Sequence, residues 1–316
     1  MKKIKKIFFG LYKRLSSFLT RLGFSRQVFG VGSIYDFFIK LFWPYPKIVE
    51  VQGSKMWVDP KGAHSGILRT LEAYAKNLVH EKSTTKLFKK IIKEGDVVVD
   101  VGANIGYFTL LAARLVGPKG KVFSFEPEPL NFRYLTKNIE LNNYSQVFAY
   151  QMAVSNKNGK TKLYLCDYDS GHHTINKYEG VKAYSRGRPT RKHSVEIETV
   201  VLDDFLKEKT NHIDVVKIDV EGAELLVIKG MEEILKKNRN IKILLEFFPL
   251  LLRKMESSPE ELIKMLSQKY DFNIFIVGSD YTMKGLSKGL IKVNNFKEIV
   301  ELLKEKSAHV NLYLRR

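Results

Sequence analysis

The run Val97-Val98-Val99-Asp100-Val101-Gly102-Ala103-Asn104-Ile105-Gly106-Tyr107-Phe108-Thr109 limits what this chain can fold into more than any other stretch. Four of its first five residues are valines, and so apolar a run reads as a strand buried on both faces. An acid stands near the strand's end, a glycine-rich turn follows, and apolar residues at helical spacing continue from Ile105 to Val116. This succession opens a doubly wound α/β sheet, in which ligands bind at the carboxyl ends of the strands. Gly102 and Gly106 let the backbone turn tightly and approach a ligand.

The alternation continues to the C-terminus. Strands are expected at Lys121–Phe125, within Val147–Val154, at Thr161–Leu165, Val195–Val201, Val215–Ile218, Ile241–Phe247 and Phe272–Val277, and finally at His309–Leu314. Helices are expected at Glu128–Asn142, Gly222–Lys236 and Pro259–Lys269, with Pro129 suited to a first helical turn. Strands alternating with helices imply a mostly parallel sheet with right-handed crossovers. Three regions follow: a basic helical extension at 1–46, a strand pair and helical lead-in at 47–94, and an α/β domain at 95–316. In the lead-in, Gly53 marks a hairpin between Lys47–Val51 and Lys55–Val58. A helix over Ile67–Ile92 is expected to break at Ser83-Thr84-Thr85.

Two common ligands fail at the turn. A dinucleotide fingerprint needs Gly-x-Gly-x-x-Gly, but the three positions are Gly102, Asn104 and Tyr107. No Gly-Lys-Ser/Thr follows for a phosphate loop. The second strand ends at Glu126, whose carboxylate can accept both hydroxyls of a ribose. Acids at two adjacent strand ends suit a cationic nucleoside without phosphates, such as S-adenosylmethionine.

Four motifs together resemble the FkbM family of class I methyltransferases: 100–109 (DVGANIGYFT), 125–129 (FEPEP), 138–142 (NIELN) and 217–224 (KIDVEGAE). The resemblance covers roughly residues 80–250, and the last motif is its distinctive part. It implies a Rossmann-like, seven-stranded sheet, S-adenosylmethionine as donor, and O-methylation of hydroxyls on sugars or polyketide-like products. Carried over, Asp100, Gly102, Asn104, Gly106, Tyr107 and Thr109 would surround the methionine part of the cofactor, and Glu126 with Pro127 would take the ribose. Ser155, after the third strand, would approach the adenine, and Glu81 would close over the cofactor.

Catalytic candidates sit on the same sheet edge. Asp219 and Glu221 follow the strand Val215–Ile218, where Glu221 either orients the substrate or caps the next helix. Glu246 ends Leu244-Leu245-Glu246-Phe247-Phe248, and an acid in so apolar a run needs a partner or a task. His172 and His173 fall in an irregular stretch and suit a general base for an acceptor hydroxyl. His80, His309 and the other histidines join no constellation in the sequence. No metal-ligand spacing is present, and the single Cys166 forms no intrachain disulfide, which fits a reducing cytoplasm.

The net charge of +19 predicts attraction to an anionic partner or reflects a lysine-rich surface. Residues 1–26 carry eight Lys/Arg, no acid and an apolar stripe, a pattern that suits an anionic membrane surface or docking on the chain's own domain. The acceptor, a small molecule or glycan, is expected to meet residues 28–94 and 156–194, where Tyr168, Tyr178, Tyr184, Arg186, Arg188 and Arg191 suit a glycan or a lipid-linked sugar. Two rivals remain: an RNA methyltransferase, for which Lys217, Asp219 and Glu221 do not make the expected Lys-Asp-Lys-Glu set, and a membrane-associated scaffold using the same fold without catalysis.

Overall fold

The computed structural model describes Leu41 and residues 47–60, 65–76, 78–166, 173–175, 194–278, 289–303 and 309–316. The basic segment 1–26, His172 and the aromatic and arginine residues expected at 168–191 lie outside them. Among the described residues, no helix is long and apolar enough to cross a membrane.

A central sheet of eight strands organises the chain. In chain order they are β1 (Val97–Val101), β2 (Lys121–Phe125), β3 (Val147–Tyr150), β4 (Val215–Ile218), β5 (Lys242–Phe247), β6 (Asn273–Val277), β7 (Leu290–Val293) and β8 (Val310–Arg315). Their spatial order is β7-β6-β8-β5-β4-β1-β2-β3. The first five are parallel to their neighbours, whereas β8 inserts antiparallel between β5 and β6. β7, which the alternation leaves unassigned, adds an eighth strand antiparallel to β6. The strand order reverses between β1 and β4, and a ligand crevice opens at such a point.

Both faces of the sheet are covered, as the valine run requires. Val97, Val99 and Val101 join one apolar cluster with Val216, Ile218, Ile243 and Leu245, while Val98 joins the opposite cluster with Val122, Val215 and Leu244. Successive residues of a strand point to opposite faces, so one run serves two cores. The helix expected over Gly222–Lys236 is two, Glu224–Lys229 and Glu232–Lys237. They part around Gly230, where a Cβ would lie 2.1 Å from the Ser155 carbonyl oxygen.

The lead-in is clamped to this domain. Its hairpin, Ile48–Val51 with Ser54–Trp57, meets the helix Pro129–Leu141: the Trp57 amide donates to Asn138 Oδ1 at 2.6 Å, and Tyr134 donates to the Asp59 carbonyl at 2.6 Å. Two helices follow, α1 (Ser65–Ala75) and α2 (Lys82–Ile91), and Tyr107–Val116 forms α3. α1 ends at Ala75 and α2 starts at Lys82, ahead of Ser83-Thr84-Thr85. The Thr85 hydroxyl donates to the His80 carbonyl at 2.6 Å, so it supports the first turn of α2 instead of ending a helix. A small second sheet of Ala153–Val154, Ser194–Val200 and Gly159–Tyr164 stands beside the crevice. Thr174 pairs with Tyr164 and thereby brings His173 and Ile175 over the opening.

Candidate active site

A cleft of about 260 Å³ opens at the carboxyl ends of β1, β2, β4 and β5. Asp100, Gly102, Asn104, Tyr107, Glu126 and Pro127 line one half of it. Asp100 is 1% exposed; its Oδ2 accepts from the Thr109 hydroxyl at 2.6 Å, and its Oδ1 has no hydrogen-bond partner. A buried carboxylate oxygen left open at a cleft calls for a donor, which the ammonium of a methionine moiety supplies. Glu126 ends β2 with Oε2 accepting from the Asn104 amide at 2.8 Å and Oε1 from the Glu128 amide at 2.9 Å. Burial, opposed by those two amides, raises its carboxyl to about 7. The donor set thus fits S-adenosylmethionine.

Four residues carried over to the cofactor also have packing or bonding partners within the fold. Thr109 is fully buried and bonds Asp100 and Ser124, so it orients the acid from behind. Gly102 has φ +84°, and a Cβ there would lie 1.8 Å from the Asp219 carbonyl oxygen. Its missing side chain therefore makes room for the neighbouring strand end first of all. Gly106 faces Leu135, where a Cβ would meet Cδ1 at 2.9 Å. Ser155 is buried off the cleft, while Met152, Ala153 and Val154 just before it line the opening.

The other half of the cleft is acidic. Carboxyl oxygens of Asp219, Glu221 and Glu246, from the ends of β4 and β5, lie within 4.8 Å of one another. Lys217 Nζ donates to Asp219 Oδ2 at 2.8 Å and lies 4.6 Å from the centre of the Phe108 ring. Burial would lower the Lys217 ammonium, but the charges of Asp219, Glu81 and Asp100 outweigh it and raise it. Burial raises Glu246 well above the usual carboxyl range, helped by the charges of Asp219, Glu221 and Glu81. Glu246 is thereby biased to its neutral form, while Asp219 meets a cation. Glu221 lines the cleft, and Glu224, the first residue of the following helix, takes the Gly222 amide at 2.9 Å.

Glu81 also reaches the cleft. It stands at the start of α2 with φ 40°, its Oε2 accepts from Asn311 Nδ2 at 2.8 Å, and its Oε1 lies 3.1 Å from His80 Nε2. Burial alone would lower His80, but the bond to Glu81 and its charge hold the imidazole above its usual range. His173 lines the opening with Nδ1 accepting from the Cys166 amide at 3.0 Å. That bond uses the Nδ1 lone pair, so a neutral His173 ring carries its proton on Nε2, which is buried.

Three cleft residues to which the sequence reading assigns no role are His80, His309 and Lys217. His309 stacks on Phe248 at 5.0 Å, with Nε2 3.6 Å from Glu246 Oε1. It precedes β8, and because that strand is antiparallel its amino end shares the edge with the carboxyl ends of its parallel neighbours. For Lys217 a signal did exist, in its register opposite Asp100 on β1.

Comparison with known proteins is consistent with this geometry. A model of the FkbM methyltransferase domain matches residues 100–274. The chain is 33% identical over 146 residues to Methyltransferase 1 of Beauveria bassiana, covering 43% of this chain and 58% of that protein. It is 28% identical over 162 residues to the hexuronic acid methyltransferase AglP of Haloferax volcanii, covering 51% and 60%. With the 2-O-methyltransferase NoeI of Sinorhizobium fredii it is 26% identical over 199 residues, covering 57% and 77%. The chain spans about three-fifths of the length of the first two relatives.

Proposed function

The chain belongs to the FkbM methyltransferase family, and on that premise we propose that it transfers a methyl group from S-adenosylmethionine to a hydroxyl oxygen of a sugar, glycan or lipid-linked small molecule. The observation that carries the reading is the pair of buried acids at adjacent strand ends, Asp100 and Glu126, opening into the cleft that also holds Asp219. NoeI is named for 2-O-transfer, which supports an oxygen as acceptor, and AglP for a hexuronic acid, which supports a carbohydrate as the molecule that carries it.

The cofactor supplies an electrophilic methyl carbon when bound. Asp100 would hold its ammonium, Glu126 its ribose hydroxyls, and Met152–Val154 would flank its base. The chain's own chemistry is positioning and one proton transfer. A sugar hydroxyl is a weak nucleophile at neutral pH, so a base must take its proton as attack proceeds. Asp219, the most exposed of the three clustered acids at 25%, is the group assigned that proton. Lys217 stays beside it throughout and balances the carboxylate before transfer.

Calorimetric titration with S-adenosylmethionine and S-adenosylhomocysteine tests the reading, with NAD as control. Glu126→Ala is expected to weaken both by at least about tenfold, roughly 1.4 kcal/mol. Failure of the folded wild-type protein to bind either compound would sink the methyltransferase reading. The raised Glu126 carboxyl gives a second expectation. Ribose hydroxyls donate to the ionised form, so affinity should rise between about pH 6 and pH 8, by up to about tenfold for a group near 7. Glu126→Gln should flatten that dependence, and a wild-type affinity that ignores pH over this range contradicts the assigned role.

A further inference from the structure

We infer that the acceptor presents an uncharged polyol face to the cleft, and that Glu81 and Glu221 exclude acceptors carrying a carboxylate or phosphate beside the reacting hydroxyl. This rests on the methyltransferase reading and narrows its substrate class.

The cleft's charge is opposite to that of the chain. Among the described residues lining it, six side chains carry a carboxyl group and one, Lys217, carries an ammonium. Asp100 and Glu126 belong to the cofactor half. That leaves Glu81, Asp219 and Glu221 as the charged acids on the acceptor side, beside a Glu246 biased to its neutral form; oxygens of Asp219, Glu221 and Glu246 lie within 4.8 Å of one another. Lys217 balances Asp219 alone and leaves Glu81 and Glu221 to face a ligand. Its side chain is 5% exposed and already committed to Asp219 at 2.8 Å. The excess of lysine and arginine behind the +19 therefore does not extend to the reacting end.

An anion brought here must give up water and stand beside several carboxylates, which is unfavourable on both counts. A polyol meets the opposite situation. Ionised carboxylates only accept hydrogen bonds, and vicinal hydroxyls are donors at matching spacing. Leu163, Ile175 and the His309 ring stacked on Phe248 supply apolar surface for the C–H face of a saccharide. Glu81 is fixed for this duty by Asn311 and His80. Glu81 and His309 both lie outside the span 100–274 that the family model matches.

Saturation-transfer NMR on the protein–S-adenosylhomocysteine complex tests the inference, using methyl glucoside and methyl galactoside beside methyl glucuronide and methyl galacturonide at low salt. At least one neutral glycoside is expected to bind about tenfold or more tighter than its uronide, with added salt narrowing the gap by screening. The Glu81→Gln, Glu221→Gln double variant should bring the pair to within about threefold, and the salt series decides alone if that variant does not fold. A uronide bound as well as its neutral partner overturns the inference. So does a gap that ignores both salt and the variant, or a complex that binds neither neutral glycoside. Loss of S-adenosylhomocysteine binding would instead strike the methyltransferase reading itself.

Discussion

Asp219→Asn is expected to keep S-adenosylmethionine binding near the wild-type level and to slow methyl transfer by about 10²- to 10⁴-fold, the range for losing a positioned general base. The asparagine keeps the shape and loses the proton acceptor. Single-turnover formation of S-adenosylhomocysteine, with any acceptor that the wild-type protein methylates, measures the loss free of product release. Asparagine leaves the Lys217 ammonium without its closest partner, but Asp100 and Glu81 still act on that charge, so the fold should survive. Glu246→Gln provides the contrast. Burial and its acidic neighbours already bias Glu246 to the neutral form, so an uncharged amide resembles its resting state and should cost less than about tenfold. If Asp219→Asn transfers within about threefold of wild type while Glu246→Gln falls a hundredfold, the base is Glu246 and not Asp219.

The two acids come from positions 27 residues apart in the chain, yet both are legible in the sequence. They end adjacent parallel strands, and a parallel sheet brings all its strand ends to one edge. The same rule makes Asp100 and Glu126 legible as a pair. It fails for His309, because it follows parallel strands alone, and β8 runs the other way. A lone histidine ahead of an antiparallel strand has no local pattern to betray it. Ser83-Thr84-Thr85 misleads in another way. Polar and β-branched residues weaken a helix in isolation, but here Thr84 accepts from Asn311 at 2.8 Å and Thr85 supports the turn, so long-range partners outweigh local propensity. Residue spacing also cannot separate ligand contact from support. Thr109 and Gly106 belong to the motif and sit behind the cleft. That distinction depends on which way a side chain points once the helix is packed.

Gly102→Ala should be the most damaging single methyl that can be added to this chain's site. At φ +84° an alanine is already strained, and its Cβ would lie 1.8 Å from the Asp219 carbonyl oxygen and 2.9 Å from the carbonyl carbon. Both atoms are backbone, so no side-chain rotation relieves the overlap. Either β1 and β4 part at their carboxyl ends or the 219–222 turn moves. Overpacking of this kind costs on the order of 3 kcal/mol or more. For a chain of this size that is a fall in Tm of roughly 6 °C or more. Gly95→Ala separates the two causes. Gly95 has φ +86°, but an added methyl would find nothing within 4 Å, so it should show the backbone strain alone, on the order of 1 kcal/mol. Thermal unfolding of the two variants side by side decides the matter. Equal losses would mean that the overlap is relieved cheaply and that Gly102 is needed only for its φ. A much larger loss at Gly102, with weakened S-adenosylhomocysteine binding in whatever remains folded, would show that the glycine joins the cofactor turn to the strand end bearing Asp219. The two halves of the site would then be held in register by one missing side chain.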